Sequence, residues 1–208
     1  MGFIPSKRLI IGIFLLFILF SGSRAQAVWE IGVKGGTNFY LGDLNSTIFN
    51  GIQPLVGGFV RYNKNPRWDS KLQLVSAEIK TPIKQNYVDL SVQEEFNFFE
   101  YGLLNSDSWT RFFSPYIFVG LGAVSFTDSN DKVVFAPNVP FGLGVKWKVF
   151  RRINIGLEWS LHKLFTDKFD YVDNPYNANA SIFTNNDWYS MGALMVGIDL
   201  GDRSRYCR

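Results

Sequence analysis

Apolar and polar residues alternate along most of this 208-residue chain, and this pattern restricts its fold more than any other feature. Within 138–149, for example, Leu143 and Trp147 fall on one face while Lys146 and Lys148 fall on the other. Successive side chains of a β-strand point to opposite sides, so strict alternation predicts strands with one apolar and one polar face. The pattern recurs in eight stretches: 29–41, 54–63, 68–78, 88–101, 116–123, 138–149, 153–162 and 191–200.

The length and the number of these stretches favour a membrane barrel. Several exceed the length of about five or six residues that is typical of strands in soluble proteins, and a tilted strand needs about 9–11 residues to cross a bilayer. An even number of antiparallel strands closes into a barrel with both chain ends on one side. Aromatic residues, which form the interfacial girdles of such barrels, make up 17% of the chain. The sequence therefore predicts an all-β fold, an eight-stranded antiparallel transmembrane β-barrel of the outer-membrane type in a Gram-negative bacterium.

Residues 1–27 have the features of a cleaved signal peptide. A basic pair precedes an apolar run over 9–20, and this run is shorter than the roughly 20 residues that a membrane-spanning helix needs. Small residues then predict cleavage after Ala25 or Ala27, which leaves 28–208 as the barrel domain. An uncleaved membrane anchor is the alternative interpretation.

The polar faces of the strands combine glycines with charged residues, a composition that suits the narrow interior of an eight-stranded barrel. A soluble barrel that binds an apolar ligand would carry its charged residues outside instead. We therefore expect the apolar faces to contact lipid and the charged residues to pair inside, with Glu158 near Lys146 or Arg61. The predicted lumenal polar network consists of Lys34, Arg61, Glu95, Lys146, Glu158 and His162.

Glu158, Ser160 and His162 share one face of the seventh predicted strand, and His162 is the only histidine of the chain. Serine, histidine and an acid together are the side chains of a hydrolase, such as a lipid deacylase. However, residues two apart on an extended strand stand about 6.5–7 Å apart, too far to assume the hydrogen bond that a nucleophile and its base require. We therefore expect no catalytic residues and no enzyme, and lipid hydrolysis through Ser160 and His162 is the less favoured alternative.

The sequence also argues against a metal, a cofactor and nucleic acid. Asp167, Asp170 and Asp173 recur in one stretch but lack the ligand spacing and the glycine of a calcium loop. The formal net charge of +3 is nearly balanced, whereas a nucleic-acid-binding protein normally carries a concentrated basic face. We expect outer-membrane lipid to be one of the partners.

The connections between the predicted strands differ in length, and this difference predicts the orientation of the barrel. Outer-membrane barrels have short periplasmic turns and long outer loops. We therefore expect the N- and C-termini in the periplasm. The short connections are 63–67 and 151–152, and the longer ones, expected outside, are 43–53, 79–87, 127–137 and 165–187.

One connection on the predicted periplasmic side, 102–111, is longer than closure requires and carries Leu104 and Trp109. Exposed apolar residues often mark an interaction site. The C-terminal tail adds Arg203 and Arg205, which suit an acidic protein surface or anionic headgroups. These four residues are the candidates for contact with a periplasmic partner.

Six segments of the chain resemble, in order, the small PorG-type outer-membrane β-barrels of the Bacteroidetes type IX secretion system. They cover nearly the whole mature chain, and the stretches 40–44 and 165–167 are the most specific. The segments are WEIGVKGGTNFYLGDLN, FVRYNKNPRW, EEFNFFEY, SPYIFVGLG, PFGLGVKWK and LEWSLHKLFTDKFDYVD.

This resemblance implies a non-enzymatic role, in which the barrel couples a periplasmic ring to the outer membrane during protein export. The implied partners are the ring proteins, a lipoprotein and its ring partner. A structural or adhesive barrel that acts through its extracellular loops is the alternative.

Overall fold

In a computed structural model, the chain forms a closed antiparallel barrel in which each strand pairs with its neighbours in sequence. The structure describes residues 28–41, 51–80, 84–101, 112–127, 133–150, 152–165 and 188–200. The strands are β1 (Val28–Leu41), β2 (Gln53–Asn63), β3 (Trp68–Lys80), β4 (Lys84–Asn97), β5 (Phe113–Thr127), β6 (Val133–Lys148), β7 (Ile153–Leu164) and β8 (Trp188–Asp199).

The predicted eight-stranded barrel is confirmed. Every strand has between 11 and 16 residues, long enough for a tilted strand to cross a bilayer. The first and last strands pair with each other, which removes the two free edges that an open sheet would leave. Within the described ranges, no helix is long and apolar enough to cross a membrane.

The strands are tilted, and the pairing register measures the displacement that this tilt produces. Following partner to partner from Asn38 around all eight strands returns to β1 at Val28, ten residues along the strand. A barrel of eight strands with such a stagger has an interior that side chains can just fill. The register therefore sets the space into which the polar faces point.

Two of the connections are shorter than the sequence predicts. The predicted loop 79–87 is wrong, because β3 and β4 continue to Lys80 and from Lys84 and leave only 81–83 between them. In this region the outward residues Glu78 and Asn86 are polar, so the apolar alternation stops before the strands do. The predicted loop 127–137 shrinks in the same way to 128–132.

The outer surface of the barrel is an apolar belt with aromatic residues near its edges. Trp29 packs on Tyr62, and Trp68 packs on Phe96, at the end of the barrel where the β2–β3 and β6–β7 turns lie. We call this end the turn end. Such a surface suits hydrocarbon flanked by interfacial aromatic rings. Outward residues that are at least half exposed include Trp29, Val33, Val56, Leu74, Val92, Val119, Leu121, Leu143, Leu157, Trp159, Leu194 and Ile198.

The interior is filled by the other face of each strand. Glycines there leave space for large neighbours: a Cβ added at Gly144 would lie 2.6 Å from Cζ of Tyr116, and one at Gly120 would lie 2.8 Å from Cγ of Gln93. Charged side chains occupy the half of the interior towards the turn end, and an apolar cluster occupies the other half. The cluster consists of Leu55, Val75, Ala77, Ile79, Tyr87, Val124, Phe126, Ala136, Leu164, Tyr189, Met191 and Ala193.

Replacing Leu143 by arginine should impair membrane insertion, because Leu143 points outward and is 54% exposed. An arginine on the lipid face of a barrel costs about 2–4 kcal/mol at the midplane. The measurement is the fraction of protein whose gel mobility changes on boiling, after folding into vesicles. Leu143→Ala is the matched control and should insert normally, and equal insertion of the two variants would contradict the assignment of the faces.

Candidate functional site: the charged interior

The structure places all six residues of the predicted lumenal network inside the barrel. None exposes more than 2% of its surface. They come from strands all around the barrel, because the polar phase of each strand points inward there. The six residues are Lys34, Arg61, Glu95, Lys146, Glu158 and His162.

Glu95 on β4 is the centre of one group of ion pairs. It accepts hydrogen bonds from Nη2 of Arg61 at 3.3 Å and from Nζ of Lys146 at 2.5 Å, and Nζ of Lys71 lies 3.0 Å away. Lys146 also contacts Oδ2 of Asp69 at 2.7 Å. Each buried charge in this group thus has at least one buried opposite charge as a partner, which burial requires.

Glu158 on β7 is the centre of a second group. Oε1 accepts from Nζ of Lys34 at 2.9 Å, while Oε2 accepts from Lys71 and, at 2.8 Å, from the Tyr116 hydroxyl. Because Lys71 contacts both Glu95 and Glu158, the two groups form one network.

The predicted partners of Glu158, Lys146 and Arg61, are therefore wrong. Lys146 pairs in the register with Gly156, two residues nearer the turn end than Glu158, and reaches Asp69 and Glu95 instead. Arg61 pairs with Glu30, with Nη1 and Oε2 2.9 Å apart. The alternation of the sequence already placed Glu30, Asp69 and Lys71 on inward faces, but it gave no signal of which charges meet across the lumen.

A third group closes the mouth of the barrel at the turn end. Nζ of Lys148 lies 2.6 Å from Oδ2 of Asp199, and Asn154 donates to Oδ1 of the same carboxylate at 2.8 Å. Tyr101, which follows β4, is 2% exposed and donates its hydroxyl proton to Oδ1 of Asn154 at 2.9 Å. The connection from β4 to β5 thus begins by laying a tyrosine across the mouth.

His162 belongs to a separate cluster, towards the apolar half of the interior. Its Nδ1 lies 3.2 Å from Oδ2 of Asp89, and its Nε2 lies 3.0 Å from Oγ of Ser160. The Tyr189 ring stacks on the imidazole with centroids 4.5 Å apart, and Asn138 donates to Asp89 at 2.6 Å. The expectation that Ser160 and His162 stand too far apart to bond is wrong, because their side chains lean towards each other across the backbone spacing.

This cluster has the bonding order of a hydrolase triad, with an acid on one ring nitrogen and a serine on the other. A nucleophile must also reach its substrate. Asp89 and His162 are completely buried, and Ser160 is 2% exposed. The arrangement is therefore suited to holding the barrel together and is closed to a lipid or ester.

The described interior leaves little free volume in the charged half. A cavity among Glu30, Arg61, Lys146 and Asn154 measures about 10 Å³, which is room for about one water molecule. Beyond this half, the apolar cluster fills the lumen with fully buried side chains such as Val75, Ile79 and Leu164. The arrangement is a packed core and has the dimensions of neither a channel nor a ligand pocket.

Several predicted features lie outside the described residues. They are the signal peptide, Asp167, Asp170 and Asp173, and the candidate partner contacts Leu104, Trp109, Arg203 and Arg205. Within the part of the chain that the structure describes, no group of three or more histidine, cysteine or acidic side chains could hold a metal ion.

The fold is similar to solved outer-membrane barrels. Neisserial surface protein A (NspA) has a TM-score of 0.59 at 10% identity, and the match covers 84% of this chain and 99% of that one. The N-terminal β-barrel domain of Pseudomonas aeruginosa OprF gives 0.48 at 16% identity, covering 84% and 100%. Ail, the attachment invasion locus protein of Yersinia pestis, gives 0.45 at 12% identity, covering 86% and 100%. At these identities the likeness shows the fold alone.

Two further comparisons concern sequence. No curated protein matches the chain. A family model described as "Domain of unknown function (DUF6089)" matches residues 7–208.

Replacing Glu158 by glutamine should lower the free energy of unfolding by about 3–5 kcal/mol, because it leaves the buried ammonium groups of Lys34 and Lys71 short of a partner. Glu94→Gln is the matched control, since Glu94 pairs with Lys64 at the surface, where the two side chains are 24% and 38% exposed. That change should cost less than about 1 kcal/mol. Urea unfolding in vesicles, followed by tryptophan fluorescence, measures both, and equal losses would show that the buried network adds no stability.

Proposed function

The chain belongs to the family described as "Domain of unknown function (DUF6089)", and we propose that it is a non-enzymatic barrel of the outer membrane. In this proposal it serves type IX protein secretion by coupling a periplasmic ring complex to the membrane. The observation that carries the proposal is the filled interior. A barrel whose lumen holds paired charges and an apolar cluster cannot pass a folded cargo, so it must act through contacts at its surface.

The location in the outer membrane is supported by the surface of the barrel and by the start of the sequence. The outward faces of all eight strands form an apolar belt with aromatic residues. A closed barrel satisfies its backbone hydrogen bonds internally and can therefore lie in hydrocarbon. The predicted signal peptide supplies export from the cytoplasm.

The secretion role is supported by the resemblance of six consecutive segments to PorG-type barrels. In this role the periplasmic face would bind the ring lipoprotein and its ring partner. The candidate contacts are Leu104 and Trp109 in the 102–111 turn and Arg203 and Arg205 in the tail. Tyr101 anchors the beginning of that turn on the mouth of the barrel, so the turn starts from a fixed point.

A structural or adhesive barrel is the second candidate. It is favoured by the length of two connections, 42–52 and 165–187, which both lie at the end opposite the turn end. Surface loops held by a rigid scaffold often carry binding residues. A lipid hydrolase is disfavoured, because Ser160 is buried and its neighbours close the space around it.

Changing Leu104 and Trp109 together to alanine, or deleting the tail after Gly201, should release the ring proteins from a pull-down while the barrel still inserts. Export of type IX cargo should fall with it. A double change of Asn177 and Asn179 to alanine, on the predicted outer side, is the matched control and should retain the ring.

Two outcomes would contradict this proposal. If the ring proteins co-purify unchanged with the altered barrel and cargo still reaches the surface, the periplasmic face is not the coupling site. If the ring proteins never co-purify with the unaltered barrel, the secretion role is wrong, and the structural or adhesive role becomes the better explanation.

A further inference from the structure

The two sides of the rim at the turn end differ in polarity. On the side of the β2–β3 turn, the charges pair with each other: Nζ of Lys64 lies 2.9 Å from Oε2 of Glu94, and Nη2 of Arg67 lies 3.7 Å from Oε1 of Glu100. The connection itself is polar, with Asn65 accepting the backbone hydrogen bonds that shape the turn. This side has the character of a surface that faces water.

The opposite side of the rim is apolar. At the tip of the β6–β7 hairpin, Val149 and Phe150 are 50% and 65% exposed, and beside them Phe112 and Leu200 are 41% and 66% exposed. We call these four residues the apolar rim. Large apolar side chains at the tip of a turn would be unfavourable in water.

The backbone at this tip is tied to the barrel. The amides of Val149 and Phe150 donate to the carbonyl of Ile153 at 3.0 and 3.3 Å, and the Leu200 amide donates to the carbonyl of Trp29 at 2.7 Å. The hairpin therefore holds its apolar side chains outward in a fixed position.

The apolar rim continues the lipid-facing wall without a break. Trp147, which directly precedes it on β6, is 46% exposed and packs on Phe113 with ring centroids 5.0 Å apart. On β8, Ile198 is 51% exposed and lies just before Leu200. This continuity indicates that hydrocarbon, which covers the wall, also covers the rim.

Arg152 adds a charge that the barrel does not neutralise. It is exposed at the end of the hairpin, and among the described residues it has no carboxylate within ion-pair distance. Lys64 and Arg67, on the polar side, each have one. An arginine beside exposed apolar residues is the arrangement that places a guanidinium at the level of lipid phosphates.

We propose that the apolar rim is embedded in the leaflet at the turn end and that Arg152 binds the phosphate of an anionic phospholipid there. The barrel then sits tilted, with the β6–β7 hairpin deeper than the β2–β3 turn. This inference rests on the barrel spanning a membrane and is independent of the proposed secretion role.

The depth of the two turns tests the first half of this proposal. A nitroxide spin label is attached at Phe150→Cys and, as the matched control, at Asn65→Cys, both with Cys207→Ser, in the mature protein reconstituted into vesicles of phosphatidylcholine and phosphatidylglycerol. The label at 150 should collide several-fold more with oxygen than with a water-soluble nickel reagent, and the label at 65 should show the reverse. A label at 150 as accessible to nickel as the label at 65 would overturn the embedding and leave the rim for a protein.

The lipid contact is tested by native mass spectrometry of the purified protein titrated with phosphatidylglycerol. Arg152→Gln should weaken this binding about fivefold, because one arginine near an anionic surface contributes roughly 1 kcal/mol. Arg67→Gln, whose arginine already pairs with Glu100, should leave the binding unchanged, as should Arg152→Gln for phosphatidylcholine.

Equal binding by the two arginine variants would overturn the phosphate contact. Both variants must retain the change of gel mobility on boiling, which shows that the barrel is folded. No ring protein is present in these measurements, so a failure here leaves the secretion proposal intact, and a failed pull-down leaves this inference intact.

Discussion

A chain that lies in hydrocarbon must satisfy every backbone amide and carbonyl within itself, and the closure of β1 on β8 is what makes this possible here. Without that pairing, two rows of backbone groups would face lipid unpaired. Closure with eight strands and a stagger of ten residues also sets the radius of the barrel. The narrow lumen, and everything packed in it, follows from this one requirement.

The narrow lumen in turn requires that the inward charges meet one another. Glu95 and Glu158 are completely or nearly completely buried, and both contact Lys71, which links the two groups of ion pairs. A charge placed there without a partner would be far more destabilising than one at the rim. The barrel thus reverses the usual order of a soluble protein, with its ionic residues in the core and its aliphatic residues outside.

The sequence predicted the eight strands and their inward faces, because lipid outside and polar packing inside force each strand to alternate. It did not predict where β3 and β4 end, since Glu78 and Asn86 lie outward where the apolar pattern has already stopped. It also failed to predict the partner of Glu158. That pairing depends on how tilted strands face each other across the lumen, which no single strand encodes.

The ion pairs of the interior join residues that are far apart in the chain. Lys34 and Glu158, which share a hydrogen bond, are separated by 124 residues, and Lys146 and Asp69 by 77. A hairpin that entered the membrane alone would present such charges to hydrocarbon, with their partners still outside. Insertion of the strands and pairing of the charges must therefore occur together, so the barrel has no stable halfway state in lipid and its assembly is a cooperative event that begins only when the last strands are available.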